Sequence, residues 1–209
     1  MIAVLDYGIG NLRSAEKALQ HLGADARLID DPDRAATADG VVLPGVGAFG
    51  RCAQALRASG LDTAARFAID RGVPFLGICV GFQLLYEGSD EDPSESGLGI
   101  LAGTVRRLPE GVKHPQMQWN VLDLRPGSGS GLLRGAPHPA WVYFVHSYAP
   151  ELTDDTSSTC DYGGPVTASA ERGPVWGTQF HPEKSGTVGL GILENFVRAV
   201  DGTSGRAMT

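Results

Sequence analysis

Two short stretches of this 209-residue chain hold the residue types that acyl transfer needs. The first is Gly77-Ile78-Cys79-Val80-Gly81, where the apolar run Val73–Cys79 meets a helical pattern at Gly81–Tyr86. Glycines two residues before and two after a cysteine suit a nucleophile held on a tight strand-to-helix turn, because the neighbouring backbone leaves no room for a Cβ. Such a turn lifts the sulfur to the carboxyl end of a sheet, over a helix N-terminus that favours thiolate. It also aims the N–H of Val80 at a developing oxyanion. The second stretch is Phe180-His181-Pro182-Glu183, at the end of the apolar run Val175–Phe180. Residues two apart in extended backbone share a face, so Glu183 can hold one ring nitrogen while His181 presents the other to Cys79. Pro182 fixes its own φ and stiffens the pair. A Cys79–His181–Glu183 triad follows, with Cys79 as nucleophile, His181 as base and Glu183 as its orienter.

The other reactive residue types carry less. Cys52 and Cys160 read as buried, inert thiols. Three cysteines without a C-x-x-C pair exclude a disulfide framework and a cysteine zinc site, and suggest a reducing, cytoplasmic setting. His21 lies near a helix end, and His114 and His138 each precede a proline in loops. His146, in Tyr143-Phe144-Val145-His146-Ser147-Tyr148, is a second base candidate without a close acid, so a substrate-pocket role suits that segment better. Gly45-Val46-Gly47-Ala48-Phe49-Gly50 matches G-x-G-x-x-G literally, but no acidic residue ends a following strand as a dinucleotide site requires. Its backbone N–H groups are better suited to an oxyanion or a substrate carboxylate.

The elements that must position these residues alternate in the first half. Strands are expected at Ile2–Asp6, Ala26–Ile29, Val41–Leu43 and Val73–Cys79. Helices are expected after Asn11, which can cap the first, at Ala48–Ala58 and at Leu61–Arg71. Continuous apolar strands alternating with helices imply an α/β fold with a mostly parallel sheet covered on both faces. The second half predicts strands at Thr104–Leu108, Gln118–Leu124, Trp141–Tyr148, Val166–Glu171 and Val175–Phe180, read as antiparallel additions to the sheet edge. A helix near Val188–Val200 follows. Gly127–Gly131 reads as an exposed loop, residues 1–200 as one domain and residues 201–209 as a flexible tail.

A net charge of −7 without a clustered basic face argues against a nucleic-acid partner. Ile2–Asp6 reads as a first core strand and not a signal peptide, and no run approaches the ~20 apolar residues of a membrane span.

With the elbow cysteine, Pro44-Gly45-Val46-Gly47 and His181-Pro182-Glu183 in this order, the chain resembles the triad (class I) glutamine amidotransferases. Among them it is most similar to the glutaminase subunits of imidazole glycerol phosphate synthase. The residues that carry this are Asp6-Tyr7-Gly8-Ile9-Gly10-Asn11, Pro44–Phe49, Gly77–Gln83, Gly97-Leu98-Gly99, Tyr143–Tyr148 and His181–Ser185, so the resemblance spans nearly the whole chain. It implies a flavodoxin-like fold and hydrolysis of L-glutamine to glutamate and ammonia, with no cofactor and no metal. It implies that Val80 with Val46 or Gly47 forms the oxyanion hole, and that Gln83, His146, Ser147 and Tyr148 contact glutamine. Ammonia would pass to a (β/α)₈-barrel cyclase subunit in a heterodimer of histidine biosynthesis, with Asn11, Trp119, Asn120, Tyr143 and Lys184 near the interface. The family's usual Met-Gly-Trp-Asn reads Met117-Gln118-Trp119-Asn120 here, which puts a side chain where the family has none, next to the expected interface residues. Three other readings compete: the glutaminase of another amidotransferase, such as that of pyridoxal phosphate synthesis; a non-catalytic binding subunit; and a free-standing thiol hydrolase.

Overall fold

Strands β1 (Ile2–Leu5), β3 (Gly40–Gly45) and β4 (Phe75–Cys79) are buried along their whole lengths, and β2 (Ala26–Ile29) at both ends. Burial on both faces requires helices above and below, so these strands pair in parallel. In the computed structural model, which describes residues 1–125 and 129–204, the main sheet runs β2-β1-β3-β4-β13-β12-β11-β8. The first five strands, with β13 (Val175–Thr178), are parallel in the order 2-1-3-4-5 of a flavodoxin-like fold. The chain moves outward from β1 to β2 and back past β1 to β3. Right-handed crossovers therefore put α1 (Leu12–His21) and α2 (Pro32–Ala36) on opposite faces. Helix α4 (Leu61–Asp70) packs with α2 and with α3 (Phe49–Ala58), whereas α6 (Gly186–Ser204) packs with α1.

Antiparallel strands β12 (Pro165–Arg172), β11 (Thr156–Asp161) and β8 (Asp123–Leu124) complete one edge, as expected in kind but not in every member. Val175–Thr178 is the fifth parallel strand, not an antiparallel addition. β5 (Gly88–Ser89), β6 (Thr104–Arg107) and β10 (Tyr148–Pro150) form a separate small sheet. β7 (Gln116–Val121) and β9 (Trp141–His146) form a ribbon of their own.

β11 and α2 were not anticipated. β11 reads Thr-Ser-Ser-Thr-Cys-Asp, polar by composition, yet the Ser157 and Ser158 hydroxyls bond to Ser169 of β12 at 2.7 and 2.6 Å, so its polar groups are satisfied in the interior. α2 is one turn started by the Asp31 carboxylate, which accepts from the Asp33 N–H at 2.9 Å. Asn11 does stand at the N-cap of α1, but its side chain accepts from the Ser14 hydroxyl and caps no backbone N–H. The final helix runs on through Ser204, past Val200. The expected loop Gly127–Gly131 lies partly outside the described residues, and the expected tail does so beyond residue 204.

Candidate active site

Cys79 is the only non-glycine with positive φ among the described residues (φ 56°, ψ −114°). A cysteine there carries backbone strain of about 1–3 kcal/mol, which only tight surroundings can hold. Those surroundings explain the flanking glycines. A Cβ on Gly81 would lie 1.8 Å from the Leu43 carbonyl oxygen, and one on Gly77 would lie 2.8 Å from the Phe82 Cα. The following helix, α5 (Val80–Gln83), is one turn long and not the Gly81–Tyr86 segment expected. With so few aligned peptide units, its dipole is a weak source of thiolate stabilisation.

β4 lies between β3 and β13, and the parallel register places Gly45 beside Cys79 on one side. On the other side Thr178 pairs with Ile78, so the chain leaving β13 carries Gln179 and then His181 alongside Cys79. His181 N–H donates to the Tyr143 carbonyl at 3.0 Å, and the buried Ser185 hydroxyl donates to the His181 carbonyl while accepting from Tyr143 N–H. Glu183 sits in a 3₁₀ turn (Pro182–Lys184), not an extended pair. Its carboxylate still reaches His181 Nδ1 at 2.8 Å, with both side chains 3% exposed. Burial lowers the His181 pKa, but hydrogen bonding and charge from Cys79 and Glu183 outweigh it and hold the ring at about 10. The ring is therefore an imidazolium at neutral pH, with Nε2 free of any well-formed hydrogen bond among the described residues and near Cys79.

Val46, Gly47, Cys79, Val80, Gln83, Glu91, His146, Ser147, Tyr148 and His181, with Pro115 and Val145, line one cavity of about 270 Å³. All three expected oxyanion residues and all four expected substrate residues are thus gathered around the triad cysteine and histidine. The Val46 carbonyl accepts from the Cys52 thiol at 3.3 Å, on the α3 side. Carbonyl and N–H point opposite ways across a trans peptide, so the Gly47 N–H is turned away from α3. Burial pushes the pKa of His146 down to about 4, only partly offset by its bond to the Tyr148 carbonyl. His146 is thus a neutral ring with Nδ1 as donor, unsuited to act as a charged second acid. A larger open cleft of about 750 Å³ lies by Leu124, Leu152 and Asp154, but neither a cysteine nor a histidine lines it.

Two residues escaped the sequence. Glu91 lines the cavity, and its Oε2 accepts from the Phe49 N–H at 2.8 Å, capping α3 where Ala48 has no side chain to do so. No motif marks it. Gln179 is fully buried, donating to Cys79 Sγ at 3.9 Å. A lone amide inside an apolar strand-like run was the signal.

The expected interface residues fall on neighbouring elements. Trp119 and Tyr143 are cross-strand partners with ring centroids 6.0 Å apart, and Trp119 is exposed beside Met117 and Trp141. The 3₁₀ turn carrying exposed Lys184 packs against both β9 and α1, whose N-cap is Asn11. Asn120 donates to the Asp161 carbonyl at 2.9 Å, tying β7 to β11. Gln118 is exposed, on the strand face opposite Trp119.

A family model for class-I glutamine amidotransferases matches residues 3–200. The chain is 47% identical over 198 residues to the imidazole glycerol phosphate synthase subunit HisH of Moorella thermoacetica, covering 93% of each chain. It is 49% identical over 204 residues to that of Synechococcus, covering 95% of this chain and 94% of the relative. Among solved structures, a glutamine amidotransferase superposes with TM-score 0.73 at 20% identity, over 96% of this chain and 98% of that one. PurLQS of Thermotoga maritima gives 0.71 at 22%, over 94% and 97%. At those identities the structures speak for the fold alone, whereas the sequence relatives reach further. The chain belongs to the class-I glutamine amidotransferases and, among them, to the HisH subunits of imidazole glycerol phosphate synthase.

Proposed function

We propose that the chain hydrolyses L-glutamine at Cys79 and hands the ammonia to a (β/α)₈-barrel cyclase subunit, which makes imidazole glycerol phosphate and an aminoimidazole carboxamide ribotide. The observation that carries this reading is the strained Cys79 lining a cavity of about 270 Å³ beside a His181 imidazolium held by Glu183 at 2.8 Å. The Cys79 thiolate attacks the side-chain amide carbon, and the carbonyl oxygen gains the negative charge between the N–H groups of Val80 and Val46 or Gly47. His181 gives its proton to the departing nitrogen, so ammonia leaves and a γ-glutamyl thioester remains. Neutral His181 then takes a proton from water, the hydroxide attacks the thioester, and glutamate leaves as the thiolate and imidazolium are restored. Gln83, Ser147 and Tyr148 shape the glutamine site. The Glu91 carboxylate is the complement for the substrate's ammonium group, and neutral His146 adds no competing charge.

The exposed Trp119–Tyr143 pair, with Asn11 and Lys184 on adjoining elements, is the face proposed to dock the cyclase in a heterodimer. Asn120 supports that ribbon from behind. Among the described residues no helix is long and apolar enough to cross a membrane, and the work belongs in the cytoplasm with the other enzymes of amino-acid synthesis. Glutamine hydrolysis measured with and without the cyclase tests the reading. Activity that is low alone and rises with the partner is expected. Full activity alone would mark a free-standing hydrolase. Cys79→Ala is expected to abolish glutamine-dependent synthesis, by at least ~10³-fold, while leaving ammonia-dependent synthesis by the complex intact. Unimpaired glutamine use by Cys79→Ala would sink the catalytic reading.

A further inference from the structure

Gln179 is fully buried and stands abreast of the nucleophile, because β13 pairs in register with β4 and Thr178 faces Ile78. Its amide orientation is dictated by the network around it. The Tyr148 carbonyl can only accept, so the atom of Gln83 facing it at 2.9 Å is the amide nitrogen. That nitrogen has a second hydrogen, and Gln179 meets it at 3.1 Å, which must be with its oxygen. The nitrogen of Gln179 is therefore the end that faces Cys79, with Nε2 3.9 Å from Sγ. One unambiguous backbone atom thus fixes two amides in sequence and leaves an N–H aimed at the sulfur.

We propose that Gln179 is a catalytic residue for the Cys79 reaction, a neutral N–H donor that stabilises the thiolate before attack and after thioester cleavage. The inference rests on Cys79 being the nucleophile. The thiolate needs such a donor because α5 is a single turn with little dipole to offer. The charged and titratable groups around the sulfur divide. His181, braced by Glu183, favours the thiolate from the turn after β13; neutral His146 from β9 is indifferent. Tyr7 and Cys52 lie close enough on the β3 side to feel the Cys79 charge, and Glu91 shares the cavity. Any of those three, if ionised, would oppose the thiolate, so a buried donor that adds no charge is of most use where Gln179 stands. The 3.9 Å contact shortens as charge gathers on sulfur, since hydrogen bonds to ionised groups are the shorter and stronger kind. The same network runs from Tyr148 through Gln83 to Gln179, so a substrate that shifts the Tyr148 segment also adjusts the donor.

The test is alkylation of Cys79 by iodoacetamide, read by mass spectrometry at that cysteine alone. It needs neither glutamine nor partner and so stands or falls apart from the glutaminase reading. In Gln179→Met, which keeps the length and loses the donor, the pH of half-maximal alkylation is expected to rise by about one unit, and the rate at pH 7 to fall several-fold. An unchanged pH profile in a folded variant overturns the proposal. A second measurement uses the unmodified sequence, in case Gln179→Met does not fold. The side-chain amide resonances of Gln179 should move with the ionisation of Cys79 and stay flat over the same pH range in Cys79→Ala. Resonances that ignore Cys79, or that titrate equally without it, overturn the proposal as well.

Discussion

The elbow that holds Cys79 and the loop that faces it across the cavity are built on opposite principles. At the elbow every neighbour is backbone. Gly81 has a carbonyl 1.8 Å from where a Cβ would be, and Cys79 accepts a left-handed φ that only complete enclosure sustains. At the Val46–Gly47 loop nothing lies within 4 Å of a Cβ built on Gly47, whose φ is +88°. One thiol–carbonyl contact from Cys52 sets the direction of the peptide. Cys79 and the His181–Glu183 pair are thus prefabricated, whereas the Val46–Gly47 peptide, the proposed second half of the oxyanion hole, hangs on a single weak bond. A rigid elbow faces an adjustable loop, which suits the proposed dependence of hydrolysis on a partner. A flip of the Gly45–Gly47 backbone on docking fits this division, since glycine permits the positive φ on either side of the flip.

The contrast can be broken first on its rigid side. Glu183→Gln can present an N–H to His181 Nδ1 where a carboxylate accepted one, which selects the wrong tautomer; glutamine hydrolysis in the complex should fall about 10³-fold, or ~4 kcal/mol of barrier. The same change should pull the His181 pKa down from about 10. The sign of the linked stability effect follows. A histidine with a folded pKa above its ordinary 6.5 stabilises fully below 6.5, and that contribution is lost as pH rises through about 10. Chemical unfolding of the native chain should therefore show stability declining over that window, with a flatter profile in Glu183→Gln. Equal slopes would mean that the carboxylate does not hold the imidazolium.

Gly81→Ala comes next. A methyl group cannot fit 1.8 Å from a backbone oxygen, so β3 and the elbow must separate, at a cost of about 3 kcal/mol or more. Thermal unfolding should register a loss of that size, and a wild-type midpoint would show that the elbow is far softer than its contacts imply. The smallest effect belongs to the adjustable side. Cys52→Ala removes the latch on the Val46 carbonyl and should lower kcat about threefold with KM nearly unchanged, while Cys52→Ser, which keeps a donor, restores it. A matching loss in both variants would point to packing, not to the latch.

How much was readable in advance depended on whether the cause was local. Gly77, Cys79 and Gly81 announced the elbow because steric demand over five residues leaves few other solutions. His181 and Glu183 were legible as a pair, although they meet across a 3₁₀ turn and not along a strand. Val175–Phe180 was visible as a strand, but its direction was not, since a parallel and an antiparallel neighbour bury the same apolar residues. β11 stayed hidden because its hydroxyls are satisfied only by β12, a partner that composition does not reveal. Glu91 and Gln179 were missed for a related reason. Each acts on an atom 42 or 100 positions away in the chain.

The sequence alone determined the α/β class and pointed to Cys79, His181 and Glu183 as the proposed nucleophile, base and orienting carboxylate, because each rests on short-range sterics or hydrophobic period. The tertiary structure decided what those residues face. By seating β4 between β3 and β13 it put Gly45 and the Val46–Gly47 peptide on one flank of Cys79 and the Gln179 amide on the other. Strand order is a long-range choice, settled by which whole faces bury together, and no local spacing encodes it.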